Sequence, residues 1–194
     1  MNPPNGSVIN YYVKDVSDSA KVSIDILDKN KKRIKTFSTK AKEKEDKIDV
    51  SSGMNQFVWD MKYPPAEKVD GQIIWHGNVP GPKAAPGQYF YKIKAEKDSV
   101  EGSFTIKANP VYNVSQQDYE EQFNFLIAIR DKFDEIQKAG KNIRDIRKQI
   151  NDFMDKQGKD VPKEIKQKAD TIKKQMTAVE EALHQTKAKS GQDV

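Results

Sequence analysis

The stretch Ser103-Phe-Thr-Ile-Lys-Ala-Asn-Pro110, continuing into Val111-Tyr-Asn-Val-Ser-Gln-Gln-Asp-Tyr119, decides the fold class, because the hydrophobic period changes across it. Before Pro110, Phe104 and Ile106 alternate with polar neighbours, the period-two pattern of a half-buried strand. After it, Ser115 stands three residues ahead of Asp118, an arrangement that supplies acceptors to the unsatisfied amides of a helix N-terminus. Tyr119, Phe123, Leu126, Ile127, Phe133, Ile136, Ile143, Ile150 and Phe153 then recur at helical spacing as far as Gly158. Chain breakers follow the same division. Eight of nine prolines, seven of ten glycines and eleven of seventeen aromatics lie in residues 1–110, and Pro162 is the only proline beyond them. A β region followed by an α region is the reading.

Upstream of the switch, Ile9, Tyr11 and Val13 form a first alternating run, and Val22, Ile24 and Ile26 alternate with Ser23 and Asp25. Phe57, Trp59 and Met61 alternate with Val58 and Asp60, and Tyr89, Tyr91 and Ile93 share a face. About six or seven short strands with one apolar face each predict two packed sheets, an immunoglobulin-like or fibronectin type III-like sandwich over residues 1–110. Trp59, Phe57, Tyr89 and Tyr91 are its expected core. Asp28-Lys-Asn-Lys31 reads as a hairpin turn in which Asn30 takes the positive φ. Tyr89, just after Pro86-Gly87, is similar to the tyrosine-corner position whose hydroxyl ties a loop.

Downstream, Gly140 costs about 1 kcal/mol relative to alanine but need not break a long helix. Pro162 is placed as the first helical residue of a second helix. Ile165, Ala169, Ile172, Met176, Val179, Leu183 and Thr186 follow at alternating spacings of four and three, a coiled-coil seam. Residues 111–194 are thus expected to form a second domain, an antiparallel helical hairpin with helices over about 115–157 and 162–188. The expected fold class is α+β with the two kinds of element segregated. At about 1.5 Å per residue the first helix reaches on the order of 60 Å, so part of its apolar stripe needs the second helix, another copy or a further domain as partner.

Composition narrows the chemistry. The 194 residues contain no cysteine and two histidines, His76 and His184, which excludes thiolate catalysis, disulfides and cysteine-ligated metals and disfavours histidine metal sites. No cofactor or metal is expected. The net charge of +5 is spread: residues 1–110 hold 18 basic against 14 acidic side chains, and the remainder 16 against 15. Mixed runs such as Lys40-Ala-Lys-Glu-Lys-Glu-Asp-Lys47 do not form a phosphate-binding stripe, so no nucleic-acid partner is expected. No run approaches the roughly 18 apolar residues of a membrane span. Phosphate-cradling glycine loops and the G-x-S-x-G elbow are absent from the sequence.

The segment from Tyr63 to Pro86 is long for a connection in a small β domain, and such loops are usually functional or packed on a neighbour. It contains Trp75 and His76. Trp75 and Tyr63 offer flat faces for sugar stacking, with His76 beside them as a further contact; Trp59, in its alternating run, reads as core. Asp60, Glu67 and Asp70 are the carboxylates available for a glycosidase-type pair, which requires two of them about 5 to 9.5 Å apart. Arg130, Arg144 and Arg147 read as partners in helix-surface ion pairs.

Taken in order, the motifs Pro3-Pro-Asn-Gly-Ser-Val-Ile-Asn-Tyr-Tyr12, Gly53-Met-Asn-Gln-Phe-Val-Trp-Asp-Met-Lys-Tyr-Pro64 and Gly81-Pro-Lys-Ala-Ala-Pro-Gly-Gln-Tyr89 resemble the C-terminal region of bacterial sortilin-like, BNR-repeat propeller proteins. These proteins, of Bacteroidetes type, often carry a glycosyl-hydrolase label. Lys62 stands where that family's strand motif has Arg. A lesser similarity, through Trp59-Asp60 and Pro86-Gly-Gln-Tyr89, is to the sandwich of flagellar hook-capping proteins.

The resemblance implies a non-catalytic accessory module of a larger secreted or periplasmic protein, bracing or positioning an upstream propeller domain. The chain starts on a Pro-Pro turn with no signal peptide, as a fragment of such a parent would. The alternative is a carbohydrate-binding module using Trp75 and Tyr63. Self-association through the 165–186 helix is a further expectation.

Overall fold

The computed structural model describes residues 4–17, 20–69, 73 and 79–190. It is an α+β protein in which antiparallel β-sheet precedes two long helices. The chain forms two compact units that interleave in sequence: Met1–Pro64 with Gly81–Ile127, and Pro65–Pro80 with Ala128–Val194.

The first unit carries two sheets. Strands β1 (Ser7–Val13) and β4 (Gly53–Trp59) pair with each other, Ile9 facing Phe57 across the ladder. The second sheet has the order β3–β2–β5–β6, from β2 (Val22–Leu27), β3 (Arg33–Ser38), β5 (Gly87–Ala95) and β6 (Asp98–Ile106). Ile24 sits opposite both Phe37 and Ile93, and Tyr89 opposite Phe104. Both sheets feed one hydrophobic cluster, with Ile9, Phe57 and Trp59 from the pair and Val22, Ile24, Ile26, Phe37, Tyr89 and Ile93 from the larger sheet. Trp59, Ile24 and Ile26 are wholly excluded from water. Each such burial is worth about 1.5–3 kcal/mol for an aliphatic side chain, and this is what selects the register.

Strand β2 is buried on both faces, because Asp25 is buried along with its apolar neighbours. Its carboxylate accepts from the Thr36 hydroxyl and pairs with Lys94 Nζ at 3.3 Å, so the buried oxygens are satisfied by the flanking strands. The turn after β2 corrects one expectation. Lys31, with φ 60°, takes the left-handed conformation expected of Asn30. The Asp28 carboxylate explains this: it accepts from both Asn30 N–H and Lys32 N–H at 2.8 Å, wrapping the turn so that the residue between them must bend back. The Lys31 ammonium lies 5.4 Å from the centre of the Phe90 ring, a partial compensation for the strain.

Helix α1 (Gln116–Gln157) runs 42 residues without interruption at Gly140. At its start, Ser115 Oγ accepts from Asp118 N–H at 3.1 Å while Asp118 Oδ2 accepts from Ser115 N–H at 3.1 Å and from its hydroxyl at 2.7 Å, a reciprocal capping box. Helix α2 spans Lys163–Leu183. Pro162 caps it from outside, with ψ 139° and its carbonyl accepting from Lys166 N–H, rather than forming the first helical residue.

In the second unit, side chains join the two helices at successive levels. Glu180 takes Arg144 Nε on one oxygen and Arg147 on the other, both at 2.9 Å, and Arg147 also donates to the Thr177 hydroxyl at 3.2 Å. A β-carbon on Gly140 would meet His184 Nε2 at 2.9 Å. His184 is therefore a half-buried cap at the end of α2, in extended conformation, whereas the expected helix of about 162–188 runs through it. Gly140 is the notch its ring needs.

Candidate functional site

Tyr63 is the one residue of the expected ligand-contact set that the structure describes; Trp75 and His76 lie outside the described residues, as does Asp70. Tyr63 belongs to the first unit and is fixed by its backbone. Its N–H donates to Pro82 O at 3.0 Å, and the neighbouring Met61 O accepts from Ala84 N–H at 2.7 Å. The two segments lie so close that a β-carbon on Gly81 would fall 1.8 Å from Tyr63 O. Only glycine permits that approach.

So placed, the Tyr63 ring meets the Phe123 ring of α1 at 4.8 Å between centroids, tilted by 54°. Together they line a pocket of about 280 Å³. The Asp28–Asn30 turn, the Ala85–Tyr89 segment and the first turns of α1 complete its wall. Three ties hold this wall. The Tyr89 hydroxyl donates to Ala85 O at 2.9 Å, four residues upstream, and Gln116 Nε2 donates to Pro86 O at 2.9 Å and to Glu120 Oε1 at 3.1 Å. Lys29 reaches Glu120 at 3.7 Å from an exposed position, a pair of small energetic weight.

The pocket thus combines two aromatic faces with carboxylates (Asp28, Glu120) and side-chain amides (Asn30, Gln88, Gln116, Asn124). Burial, and then the nearby Asp28 and Glu120 charges, push the Tyr89 hydroxyl above its ordinary pKa of 10.0. It therefore stays protonated as a donor at neutral pH. Amides and carboxylates beside a flat apolar face are groups that can hydrogen-bond a polyhydroxylated ligand while stacking on its apolar side.

The aromatics expected in the core are occupied. Trp59 is fully buried, its indole N–H donating to Lys62 O at 3.2 Å, and it packs against Tyr89 and Phe104 at 5.8 and 6.0 Å. Phe57 meets Phe37 at 4.8 Å. Half-buried Tyr91 lies across Gly102 on the neighbouring strand. Among the carboxylates, Asp60 accepts from Lys62 N–H at 3.0 Å and so closes its own turn. In the second unit, Glu67 pairs with Lys141 at 3.2 Å, and its N–H donates to Asp134 at 2.8 Å. Arg130 pairs with Asp131, whereas Arg144 and Arg147 converge on Glu180 of the other helix instead of pairing along their own surface.

A second depression of about 370 Å³ lies between Met61, Ala84, Pro86 and Ile106 on one side and Tyr112, Phe123 and Leu126 on the other. Two of its lining side chains are open to water, Tyr112 at 63% and Leu126 at 42%, and the first unit also exposes Val111 and Phe125 outside the lining. The sequence pattern assigned Phe123 and Leu126 to one helical stripe and did not separate the covered residue from the open one. The Gln116/Glu120 spacing of four was the available sign that this first turn carries a polar tie.

Among the described residues, no three or more His, Asp or Glu side chains gather where they could hold a metal ion, and no helix is long and apolar enough to cross a membrane. Comparison of the chain with protein-family models, with curated proteins and with solved structures finds no match to any of them.

Proposed function

We propose that this chain is a non-catalytic accessory module that docks on, and positions, another domain of a larger secreted or periplasmic protein. In this reading the two sheets form an immunoglobulin-like or fibronectin type III-like sandwich, the helices form an antiparallel hairpin, and the upstream propeller implied by the resemblance is the domain held. The carrying observation is the open apolar surface of the first unit, where the exposed Tyr112 and Leu126 line a depression. Contiguous exposed apolar groups of this kind are expensive in water and mark interaction surfaces. The carboxylates Asp60 and Glu67 are each engaged in local structure, which supports a binding role over hydrolysis. Docking is tested by supplying the domain encoded upstream and measuring its affinity for the chain. The double variant Tyr112→Ser/Leu126→Ser is expected to weaken binding at least about tenfold, as loss of two apolar anchors does. An affinity unchanged by the substitutions, or no binding at all, overturns the reading.

The second reading is a carbohydrate-binding module using Trp75 and Tyr63, favoured by the Tyr63–Phe123 pocket with its amide and carboxylate rim. Titration with an oligosaccharide panel, followed by tryptophan fluorescence and calorimetry, separates the two. Saturable binding lost in Tyr63→Ala supports the lectin-like role.

A further inference from the structure

We propose that the chain forms a homodimer through a largely apolar face of the two helices of the second unit, to one side of their mutual contact. The contact itself uses Arg144, Arg147 and Gly140 on α1, and Glu180, Thr177 and His184 on α2. Partner numbers fall on α1 as they rise on α2, so the helices run in opposite directions. On α2, Ala169 and Glu180 are buried and Met176 is half-buried. Ile165, Ile172 and Val179, the other half of the seven-residue repeat, remain 42%, 42% and 51% exposed.

At about 100° per residue, Ile172 and Val179 stand roughly a quarter turn from the face that meets α1. The apolar stripe of α1 drifts in the same way: Ile143 and Ile150 are half-buried, and Ile146 and Phe153 are 42% and 51% exposed. These positions stand roughly 100° to 180° from Arg144 and roughly 40° to 120° from Arg147, all displaced to one side of the contact. Because the helices are antiparallel, the two displacements point to the same side. The unit therefore presents two adjacent apolar ridges on one surface.

That surface carries one internal ion pair, Glu164 with Lys168, and is otherwise free of charge. From Ile143 to Phe153 the α1 flank reads Ile143, Ile146, Gln149, Ile150 and Phe153, while the charged Lys141, Asp145, Lys148 and Asp152 fall on the other side. The α2 flank reads Ile172, Gln175, Val179, Ala182 and Leu183. At its start Glu164 and Lys168 neutralise each other at 2.7 Å.

An apolar face whose one ion pair is internally neutralised is self-complementary: a two-fold axis brings it against its own image, as an isologous interface requires. The product is a four-helix arrangement of two antiparallel pairs. The area suffices. A 21-residue α2 is about 30 Å long, and two helices side by side are about 20 Å wide, giving on the order of 600 Å² per copy and 1,200 Å² in total. This meets the lower bound for a specific interface.

Sedimentation and light scattering of the intact chain, over roughly 1 µM to 1 mM, measure the equilibrium. A concentration-dependent shift from 22.1 kDa to twice that mass is expected. Ile172→Glu/Val179→Glu, at exposed positions, is expected to remain monomeric with unchanged helicity by circular dichroism. A second arm exploits the absence of native cysteine. Under mild oxidation, Val179→Cys is expected to cross-link at least about tenfold faster than Lys174→Cys, which lies on the charged side of α2, because an apposed pair has a high effective concentration. A wild-type chain that stays monomeric throughout, or equal cross-linking of the two cysteine variants, overturns the proposal.

Discussion

The glycines of the first unit show how a single atom decides local structure. Gly102 faces Tyr91 across the β5–β6 ladder, and a β-carbon there would sit 2.4 Å from the tyrosine ring. The ring covers the bare backbone of the glycine, an aromatic packing on a strand position that no side chain can share. Gly102→Ala is therefore expected to destabilise the protein by about 1–3 kcal/mol through overpacking, read as a lower urea midpoint with an unchanged slope. Tyr91→Ala/Gly102→Ala should recover part of that loss, because the clash is removed with the ring. Nothing in the sequence flagged Gly102, since its importance lies in which residue the register sets opposite. Tyr89 was more legible: its offset from Pro86-Gly87 suggested a loop tie, and its hydroxyl reaches Ala85 O, four residues upstream.

Among the elements, α1 was the most readable, because an uninterrupted stripe of apolar residues and a cap at Ser115 are both local properties of the chain. Its capping box makes a local prediction. Ser115→Ala removes the acceptor for Asp118 N–H and is expected to cost about 1 kcal/mol, measured by chemical denaturation. Hydrogen bonds from the Ser115 side chain and backbone hold the Asp118 carboxyl below its usual 3.8, so the cap should persist into mild acid. The α2 seam was only half legible. Spacing gave a seven-residue repeat, but a repeat does not say which of its two ridges a neighbour covers. Glu180 chose the covered ridge by drawing in Arg144 and Arg147, residues whose sequence pattern suggested surface pairs.

For the whole molecule, the groups joining the helices predict how stability depends on pH. Burial pushes the Glu180 carboxyl up, but hydrogen bonds and charge from Arg144 and Arg147 outweigh it and leave its pKa below the usual 4.5. Burial, then the nearby Arg144 charge, lowers the His184 imidazole below 6.5 against a smaller opposing effect of Glu180. Both groups bind protons more weakly in the folded state. The stability they confer is full above their unfolded values and is lost as pH falls through the folded ones. Helical signal is thus expected to become easier to denature first below about pH 6.5 and further below about pH 4.5. His184→Asn should remove the upper step alone. Glu180→Gln should remove the lower step and weaken the helix contact at neutral pH; identical pH profiles for the variants and the native chain would contradict this account. The sequence by itself determined the β-then-α order, the strand alternation, the capped start of α1 and the exclusion of thiol chemistry, because periodicity, caps and composition act over a few residues. Only the tertiary structure decided that Gly140 receives His184, that Tyr63 meets Phe123, and which ridge of α2 stays open. Those outcomes depend on residues brought together across tens of positions, where register and close packing, not local pattern, set the energy.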